Sequence, residues 1–326
     1  YFESFAKDKV LYPFGFGLSY TAFEIASAIT DVTENAITVE AVVKNTGDTA
    51  GKEVVEVYVE APQGMLGKPS RVLAGFAKTQ VIAPEEEEKV TIVIPKKAYA
   101  SYDDSGVTGH KDSFLLEAGS YKIYAGADVR TAALAGSYEQ ELKVIEQLEE
   151  ACAPSEQFER MTRDADGTLV YKKIPAREFG PYDRIEKPEE IAYTGDKGYK
   201  LADVYNKKIT MDEFIAQLSD EQLIMLFHAE GMCSPKVTAG TACAFGGLTE
   251  ELRALGIPAT CTTDGPSGLR MDCGTKAFSL PNGTLIGCTF DLELVQKLYE
   301  MTGYELRRNR VDSLLGPGMN IHRNPL

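Results

Sequence analysis

The sequence predicts a mixed fold: an all-β sandwich of two antiparallel sheets, followed by the first part of an α/β domain with a parallel sheet. Two observations lead to this prediction. Apolar residues recur with a period of two from Ala22 to Glu146, with turn residues between the runs and no helical segment. Further on, an apolar strand, an amphipathic helix and a second apolar strand follow one another between residues 259 and 316, which is the order of a βαβ unit.

The composition excludes several classes of function. The 326-residue chain is 44% apolar and 25% charged, as in a globular protein of about two domains. Its net charge of −15 argues against binding to nucleic acid or to an anionic membrane surface. No apolar run approaches the ~18 residues that a membrane-spanning helix needs.

The six cysteines are scattered, and no pair has the Cys-x-x-Cys spacing that is typical of a zinc site. Cys261 lies inside an apolar strand, where a cysteine behaves as a small hydrophobic residue. Such thiols favour a reducing compartment over a disulfide scaffold, although the even count leaves disulfides open. We therefore predict a cytoplasmic protein without a metal site, and we expect no cofactor.

The first half of the chain divides into a connector and the sandwich. Residues 1–20 are rich in glycine and aromatic residues and have no period, so we interpret them as a connector that packs its rings on a domain surface. Residues 21–146 contain about seven alternating strands, each with one face in the core and one in solvent. The last strand is predicted around Tyr138, Leu142 and Val144.

The second half begins with a linker and continues with helices. Residues 147–210 are charged, contain four prolines and lack a sustained period, which predicts a linker that crosses a surface. In residues 211–326, Ser219 forms a capping box with Gln222, and Thr249 and Asp291 are predicted to cap later helices. The chain stops soon after its second apolar strand, so we expect a polypeptide that is incomplete at both ends.

The turn after the first of these strands carries the main candidate site residue. The run Thr263-Asp264-Gly265-Pro266-Ser267-Gly268-Leu269-Arg270 breaks the strand and exposes the carboxylate of Asp264 at its C-terminal tip. Barrels of alternating strands and helices bind their ligands at that end. From the pattern alone, an Asp that only forms the turn is the commoner explanation, and a binding role is the alternative.

Four stretches share their residues with one known family. They are Tyr12-Pro13-Phe14-Gly15-Phe16-Gly17-Leu18-Ser19-Tyr20, Val43-Lys44-Asn45-Thr46-Gly47 with Glu53-Val54-Val55, the turn at 263–270, and Leu315-Gly316-Pro317-Gly318-Met319-Asn320-Ile321-His322-Arg323-Asn324-Pro325. Together they resemble the glycoside hydrolases of family three, whose best-known members are β-glucosidases. The resemblance covers about residues 1–145 and 215–326.

The resemblance implies a permuted domain order. Residues 21–146 correspond to the fibronectin type III-like module, residues 1–20 to its connector from an α/β sandwich domain upstream, and residues 211–326 to the N-terminal part of a TIM-type (β/α)8 barrel. The α/β sandwich and the rest of the barrel are then the expected partners, either in the same gene product or as a separate chain. We also hypothesise that the linker mediates contacts in a homodimer.

The activity that the resemblance implies is the exo-acting hydrolysis of terminal non-reducing β-D-glucosyl residues, with retention of configuration by double displacement. This chemistry needs two carboxyl groups about 5 to 5.5 Å apart. The family takes its nucleophile Asp from a Ser/Thr-Asp-Trp motif and its acid/base Glu from the α/β sandwich, and this chain has no tryptophan. We therefore expect both catalytic carboxylates outside this segment, and the segment alone to be inactive.

Two positions match the family's sugar-binding subsite. Asp264 matches an Asp that accepts hydrogen bonds from neighbouring sugar hydroxyls, to which a carboxylate is well suited. Arg270 matches an Arg of the same pocket, where holding Asp264 and contacting the sugar are equally open roles. His322 and Arg323, at the tip of the second strand, are expected beside the sugar-contacting residues without touching the β-linked glucoside or oligosaccharide.

Two alternatives to an enzyme stay open at this point. A non-catalytic carbohydrate-binding or scaffold protein is the first, but such a protein should close its core, whereas the predicted barrel is unfinished. An adhesion-type module built on the sandwich is the second, and it leaves Asp264 and Arg270 unexplained.

Overall fold

The structure, a computed structural model, describes residues 2–150, 152–180, 183 and 188–318. The chain forms two compact units, Tyr1–Ile185 and Glu186–Leu326. Strands dominate the first unit, while the second combines short helices, one long helix and a small sheet.

The first unit begins with α1 (Phe2–Phe5) and contains 3₁₀ turns at Lys7–Lys9 and Lys96–Tyr99. Its strands are β1 (Phe23–Val32), β2 (Ala36–Asn45), β3 (Val54–Glu60), β4 (Val72–Lys78), β5 (Glu87–Pro95), β6 (Ser101–Asp103), β7 (Ser113–Leu116), β8 (Gly119–Gly126), β9 (Ala133–Gln140), β10 (Lys143–Gln147), β11 (Glu159–Arg163) and β12 (Leu169–Lys173). They form sheets of order β1-β2-β5, β4-β3-β8-β9 and β10-β7-β6, and the hairpin β11-β12.

The first two sheets share one hydrophobic core, so the predicted two-sheet antiparallel sandwich is confirmed. Along β2 every second residue is buried, and Ile37, Val39 and Val43 have no exposed surface. Residues of β3, β5 and β8 complete the same apolar cluster. Burying each such side chain contributes roughly 1.5–3 kcal/mol, which makes this core the main source of stability in the unit.

A group of three tyrosines closes one part of this core. The ring of Tyr121 lies 5.9 Å from that of Tyr99 and 5.5 Å from that of Tyr138, measured between ring centroids. The hydroxyls of Tyr99 and Tyr138 are 2.7 Å apart and hydrogen-bonded. The group therefore joins aromatic packing to a hydrogen bond that satisfies two partly buried polar atoms.

The strand predicted around Tyr138, Leu142 and Val144 is wrong as a single element. Tyr138 belongs to β9 and Val144 to β10, and these strands lie in different sheets. Leu142, which connects the two runs in the sequence pattern, lies between the strands and is 40% exposed. By contrast, β4 was not predicted, since all its residues are half-buried and show no alternation.

Within the first unit, the rings of the aromatic and glycine-rich segment are exposed. The side chains of Tyr12, Phe16 and Tyr20 are 64%, 46% and 97% exposed. The segment is attached through its backbone instead, since the carbonyl of Phe14 accepts a hydrogen bond of 3.0 Å from the amide of Val129.

Residues 147–210 contain more regular structure than a linker prediction implies. Strands β11 and β12 pair antiparallel over five residues each. All of their side chains are exposed or half-buried, so neither strand has the alternation that would reveal it in the sequence.

The second unit contains α2 (Leu201–Tyr205), α3 (Met211–Ala216), α4 (Asp220–Phe227), β13 (Cys243–Gly246), α5 (Glu250–Ala254), β14 (Ala259–Asp264), α6 (Gly283–Gly287), α7 (Leu292–Arg308) and β15 (Ser313–Leu315). Strands β14 and β15 pair in parallel and α7 connects them, as the predicted βαβ order requires. The neighbouring β13 pairs antiparallel with β14 and was not predicted.

The predicted helix starts are confirmed by their hydrogen bonds. Ser219 and Gln222 form a reciprocal capping box at the start of α4. The side chains of Thr249 and Asp291 accept hydrogen bonds from backbone amides at the starts of α5 and α7. A membrane crossing would need a longer and more apolar helix than any that the structure describes.

Candidate functional site

The candidate site is built on the C-terminal end of β14. Cys261 and Thr263 of this strand are almost completely buried, and the strand ends at Asp264, which is half-buried. Thr263 pairs with Leu314 and Asp264 with Leu315 in the parallel ladder. The sheet therefore holds the backbone of Asp264 at its edge, where the chain leaves the strand.

Two hydrogen bonds close the turn that follows. The amide of Arg270 donates to the carbonyl of Asp264 at 2.8 Å. The hydroxyl of Thr263 donates to the carbonyl of Arg270 at 2.6 Å. Since both bonds join the start of the turn to its end, they set the distance between the backbones of Asp264 and Arg270.

The turn needs a glycine at position 268, because of its backbone conformation and its close packing. Gly268 has a φ of +105°, and a Cβ atom at that position would lie 2.1 Å from the carbonyl oxygen of Phe278. The amide of Leu280 donates to the carbonyl of Ser267 at 2.8 Å. The turn thus packs directly on the backbone of residues 278–280, which leaves no room for a side chain at Gly268.

The side chain of Arg270 pairs with Asp272 and not with Asp264. Its Nε donates to Oδ1 of Asp272 at 3.1 Å, and the two side chains are 64% and 29% exposed. Among the residues that the structure describes, none donates a hydrogen bond to the carboxylate of Asp264. Its two oxygens are therefore available to accept hydrogen bonds from a ligand.

Asp272 is itself held by a neighbouring loop. Its amide donates to the carbonyl of Gly240 at 2.9 Å. The thiol of Cys273 donates to the carbonyl of Ala239 at 3.2 Å, and hydrogen bonds from Thr275 lower the pKa of this thiol. Sequence reasoning assigned no role to Thr263 or Asp272, because the bonds that connect them to Arg270 become visible only when the turn is folded.

Comparison with known proteins adds a second line of support. A family model described as a fibronectin type III-like domain matches residues 53–129. The β-glucosidase of Ruminococcus albus is 55% identical over 334 aligned residues, which cover 100% of this chain and 34% of that protein. These matches confirm the resemblance of this chain to a segment of the family-three glycoside hydrolases.

Two further relatives match this chain over its whole length. Beta-glucosidase A of Butyrivibrio fibrisolvens is 35% identical and is covered to 43% of its length. A crystal structure of a β-glucosidase from Paenibacillus barengoltzii has a TM-score of 0.93 and 47% identity, and the match covers 100% of this chain and 37% of that one. The chain thus spans less than half of each relative, and the order of its segments is shared with them.

Three other carboxylates, all of which follow the turn in sequence, have local structural roles. Asp291 caps α7, and Oδ2 of Asp312 accepts a hydrogen bond of 2.8 Å from the amide of Cys261. Asp272 pairs with Arg270. These contacts explain the three residues without a catalytic role.

The other predicted neighbours of the sugar, His322 and Arg323, lie outside the described residues. In the described ranges, no group of three or more His, Cys, Asp or Glu side chains is arranged to hold a metal ion.

Proposed function

We propose that this chain is part of a retaining, exo-acting β-glucosidase that removes terminal non-reducing β-D-glucosyl residues by double displacement. In this proposal the turn at 263–270 supplies part of the sugar-binding subsite. The observation that carries it is the 55% identity to a β-glucosidase across the whole of this chain. The free carboxylate of Asp264 at the tip of β14 supports it with a geometry that suits a sugar.

The proposed roles follow from the donors and acceptors of the turn. Asp264 accepts hydrogen bonds from two adjacent sugar hydroxyls, and charge-assisted bonds of this kind are roughly twice as strong as neutral ones. Arg270 donates to a further sugar oxygen from the nitrogen atoms that Asp272 leaves available. The nucleophile and the acid/base are not assigned to any residue of this chain.

The proposal extends to the architecture around the site. The parallel pair β14 and β15 with its crossover α7 is the first part of a (β/α)8 barrel, with residues 211–326 as its N-terminal portion, 21–146 as the fibronectin type III-like module and 147–210 as the connection between them. Residues 1–20 then lead in from an α/β sandwich domain. The free state of all six cysteines supports a reducing, cytoplasmic location.

The test is an Asp264→Ala exchange in the intact protein, assayed by release of nitrophenol from nitrophenyl β-glucoside. We expect kcat/KM to fall by at least about a hundredfold, as loss of a charged hydrogen-bonding group in a closed site does. Asp212→Asn, an exposed carboxylate in the first turn of α3, is the matched control and should change neither activity nor Tm.

The competing candidate, a non-catalytic carbohydrate-binding protein, predicts a different result. It would give no nitrophenol release from the unmodified intact protein, while sugar binding would still depend on Asp264. An intact mass measured under denaturing conditions on the same sample shows which polypeptides the assay contains. Loss of Tm together with activity in Asp264→Ala would make Asp264 a structural residue instead.

A further inference from the structure

The first unit contains a cleft that the proposed function does not use. It has a volume of about 400 Å³ and lies between α1, the loop 66–69, β6 and β11. Ligand-binding clefts in proteins measure roughly 300–1,000 Å³, so this one has room for a monosaccharide or a slightly larger molecule.

The charges along the cleft are one-sided. Its lining includes the basic residues Lys68, Arg160 and Arg163 and no acidic residue. Lys68 forms an ion pair with Glu117, and Arg160 forms one with Asp104. The distance between Nη1 of Arg160 and Oδ2 of Asp104 is 2.6 Å. Arg163 has no such partner: within the described part of the chain, its guanidinium makes no ion pair, and its Nε reaches only the carbonyl of Gly167 at 3.5 Å. The cleft therefore has one uncompensated cation in a protein of net charge −15.

Hydroxyl groups on the lining also lack partners. Ser101 and Thr162 are among the residues that line the cleft, and the hydroxyl of neither makes a hydrogen bond to another residue that the structure describes. The ring of Tyr102 is held against Phe114, with 5.2 Å between centroids, and its hydroxyl donates to Asp112 at 3.1 Å. An aromatic surface beside free hydroxyls and a cation is a combination that suits a polyhydroxylated anion.

One wall of the cleft is rigid. The carboxylate of Glu117 accepts hydrogen bonds from the amides of Met65 at 2.6 Å and Leu66 at 3.3 Å, in addition to its buried pair with Lys68. Gly67 has a φ of +68°, and a Cβ atom there would lie 2.2 Å from the hydroxyl oxygen of Thr162. Since this loop is already fixed against β11, a ligand would not have to order it, which favours binding.

We propose that this cleft binds a small anionic sugar, whose acidic group pairs with Arg163 and whose hydroxyls bond to Ser101 and Thr162. A guanidinium recognises a carboxylate or a phosphate through two parallel hydrogen bonds. The acidic group could come from a uronic acid or from a sugar phosphate, and both share this chemistry. The inference does not depend on the glucosidase proposal, because none of its residues belongs to the turn at 263–270.

Three probes that share a hexose ring provide the test: glucuronate, glucose 6-phosphate and glucose. Each is titrated by isothermal titration calorimetry at low ionic strength into the Asp264→Ala variant of the intact protein, because glucose would also bind to the proposed sugar-binding turn of the unmodified protein. We expect at least one anionic probe to bind at least about tenfold more tightly than glucose, since a hydrogen bond between charged groups adds that much. Preference between the two anions identifies the source of the acidic group. Equal affinities for all three, or no binding of either anion, would overturn the proposal.

Two matched variants locate the binding. Arg163→Gln should weaken binding of the anionic probe about tenfold or more. Arg160 lies on the same strand but is already paired with Asp104, so Arg160→Gln should change the affinity for the probe by less than about threefold. Tm values of both variants show that they are folded. Equal losses in the two variants would contradict the role of Arg163.

A third variant separates this cleft from the sugar-binding turn. Asp264→Ala should leave binding of the anionic probe unchanged, and Arg163→Gln should leave hydrolysis of nitrophenyl β-glucoside unchanged. Binding that is lost in Asp264→Ala but kept in Arg163→Gln would assign the anion to the other site and overturn the proposal. Failure of the glucosidase assay alone would not affect it.

Discussion

Thr263 bonds through its hydroxyl to the carbonyl oxygen of Arg270, seven residues further along the chain, at 2.6 Å and without any exposed surface of its own. The bond connects a strand residue that no ligand can reach to the end of the turn that carries the proposed sugar contacts. Thr263 is thus suited to position Asp264 and Arg270 without touching the sugar.

The exchange Thr263→Val tests this positioning role, because it keeps the shape and removes the donor. We expect KM for nitrophenyl β-glucoside in the intact enzyme to rise about tenfold with a smaller change in kcat, since a buried carbonyl loses its partner and the subsite loosens. Thr263→Ser retains the hydroxyl and should restore KM. A loss of Tm in Thr263→Val with unchanged KM would show that the bond only stabilises the fold.

Gly268 offers a test of the turn's close packing. Both Gly268 and Gly274 have positive φ values, of +105° and +84°, but a Cβ atom at Gly274 would meet nothing within 4 Å. Gly268→Ala adds a clash with the carbonyl of Phe278 to the same backbone strain. We expect it to lower the free energy of unfolding by at least about 2 kcal/mol more than Gly274→Ala. Similar values from urea denaturation would show that the backbone moves aside.

The buried carboxyl of Glu56 should make the stability of the first unit depend on pH. Burial raises the pKa of this carboxyl to about 7, a hydrogen bond from the hydroxyl of Tyr58 opposes the shift, and the charges of Asp128 and Glu53 add to it. Within the described residues, its Oε1 is buried without a partner. The stabilising, protonated form is fully present below pH 4.5, and its contribution is lost as the pH rises through 7.

The exchange Glu56→Gln checks this dependence, since an amide has the shape of the protonated acid. At pH 8 the variant should unfold at a Tm several degrees higher than the unmodified protein, and at pH 4, below the pKa of 4.5 that the carboxyl has in the unfolded chain, the two should agree. The full effect is at most roughly 3 kcal/mol, from the size of the pKa shift. Glu24→Gln, which changes an exposed carboxyl on β1, provides the control for a change of net charge. A pH-independent difference would contradict the prediction.

The ion pair of Lys68 and Glu117 should matter far more than exposed pairs in the same unit. Both side chains are 5% exposed; burial lowers the pKa of Lys68, and Glu117 opposes this shift. Lys68→Met leaves a buried carboxylate unpaired and should cost about 3–5 kcal/mol in urea denaturation. Lys122→Met, which breaks a pair with Glu60 whose side chains are 49% and 34% exposed, should cost less than about 1 kcal/mol. Equal effects would show that water reaches the buried pair.

Local signals in the sequence predicted most of the fold. The alternation of Ile37, Val39 and Val43 predicted β2, and the capping residues Ser219, Thr249 and Asp291 predicted three helix starts, because each signal depends on neighbours within a few residues. Strand β4 was not predicted from the sequence. Both of its faces are half-buried, so its residues show no apolar–polar alternation. Strand β13 was not predicted because its four residues are too few to show an alternation.

The sequence likewise predicted the local part of the candidate site and missed its longer-range contacts. The Asp-Gly-Pro-Ser-Gly run predicted the turn and the place of Asp264 at the end of the strand, although its side chain is half-buried and not exposed. It could not reveal that Arg270 pairs with Asp272 and not with Asp264, because both carboxylates are near Arg270 in sequence and the folded turn decides between them. Nor could it reveal that Gly240 holds Asp272, because that contact joins loops that are distant in sequence. The uncompensated charge of Arg163 was likewise hidden, since it depends on which carboxylates the fold brings near each arginine.

The tyrosine group of the sandwich has a practical consequence for experiments on this protein. The chain contains no tryptophan, so its near-ultraviolet circular dichroism arises mainly from tyrosine. Tyr99, Tyr121 and Tyr138 are packed against one another inside the first unit, and rings held in a fixed asymmetric setting give the strongest bands. The far-ultraviolet helical bands arise mainly from the second unit, whose α7 alone has 17 residues. In a polypeptide of these 326 residues, melting curves recorded in the two spectral regions should therefore follow the two units separately, without any label.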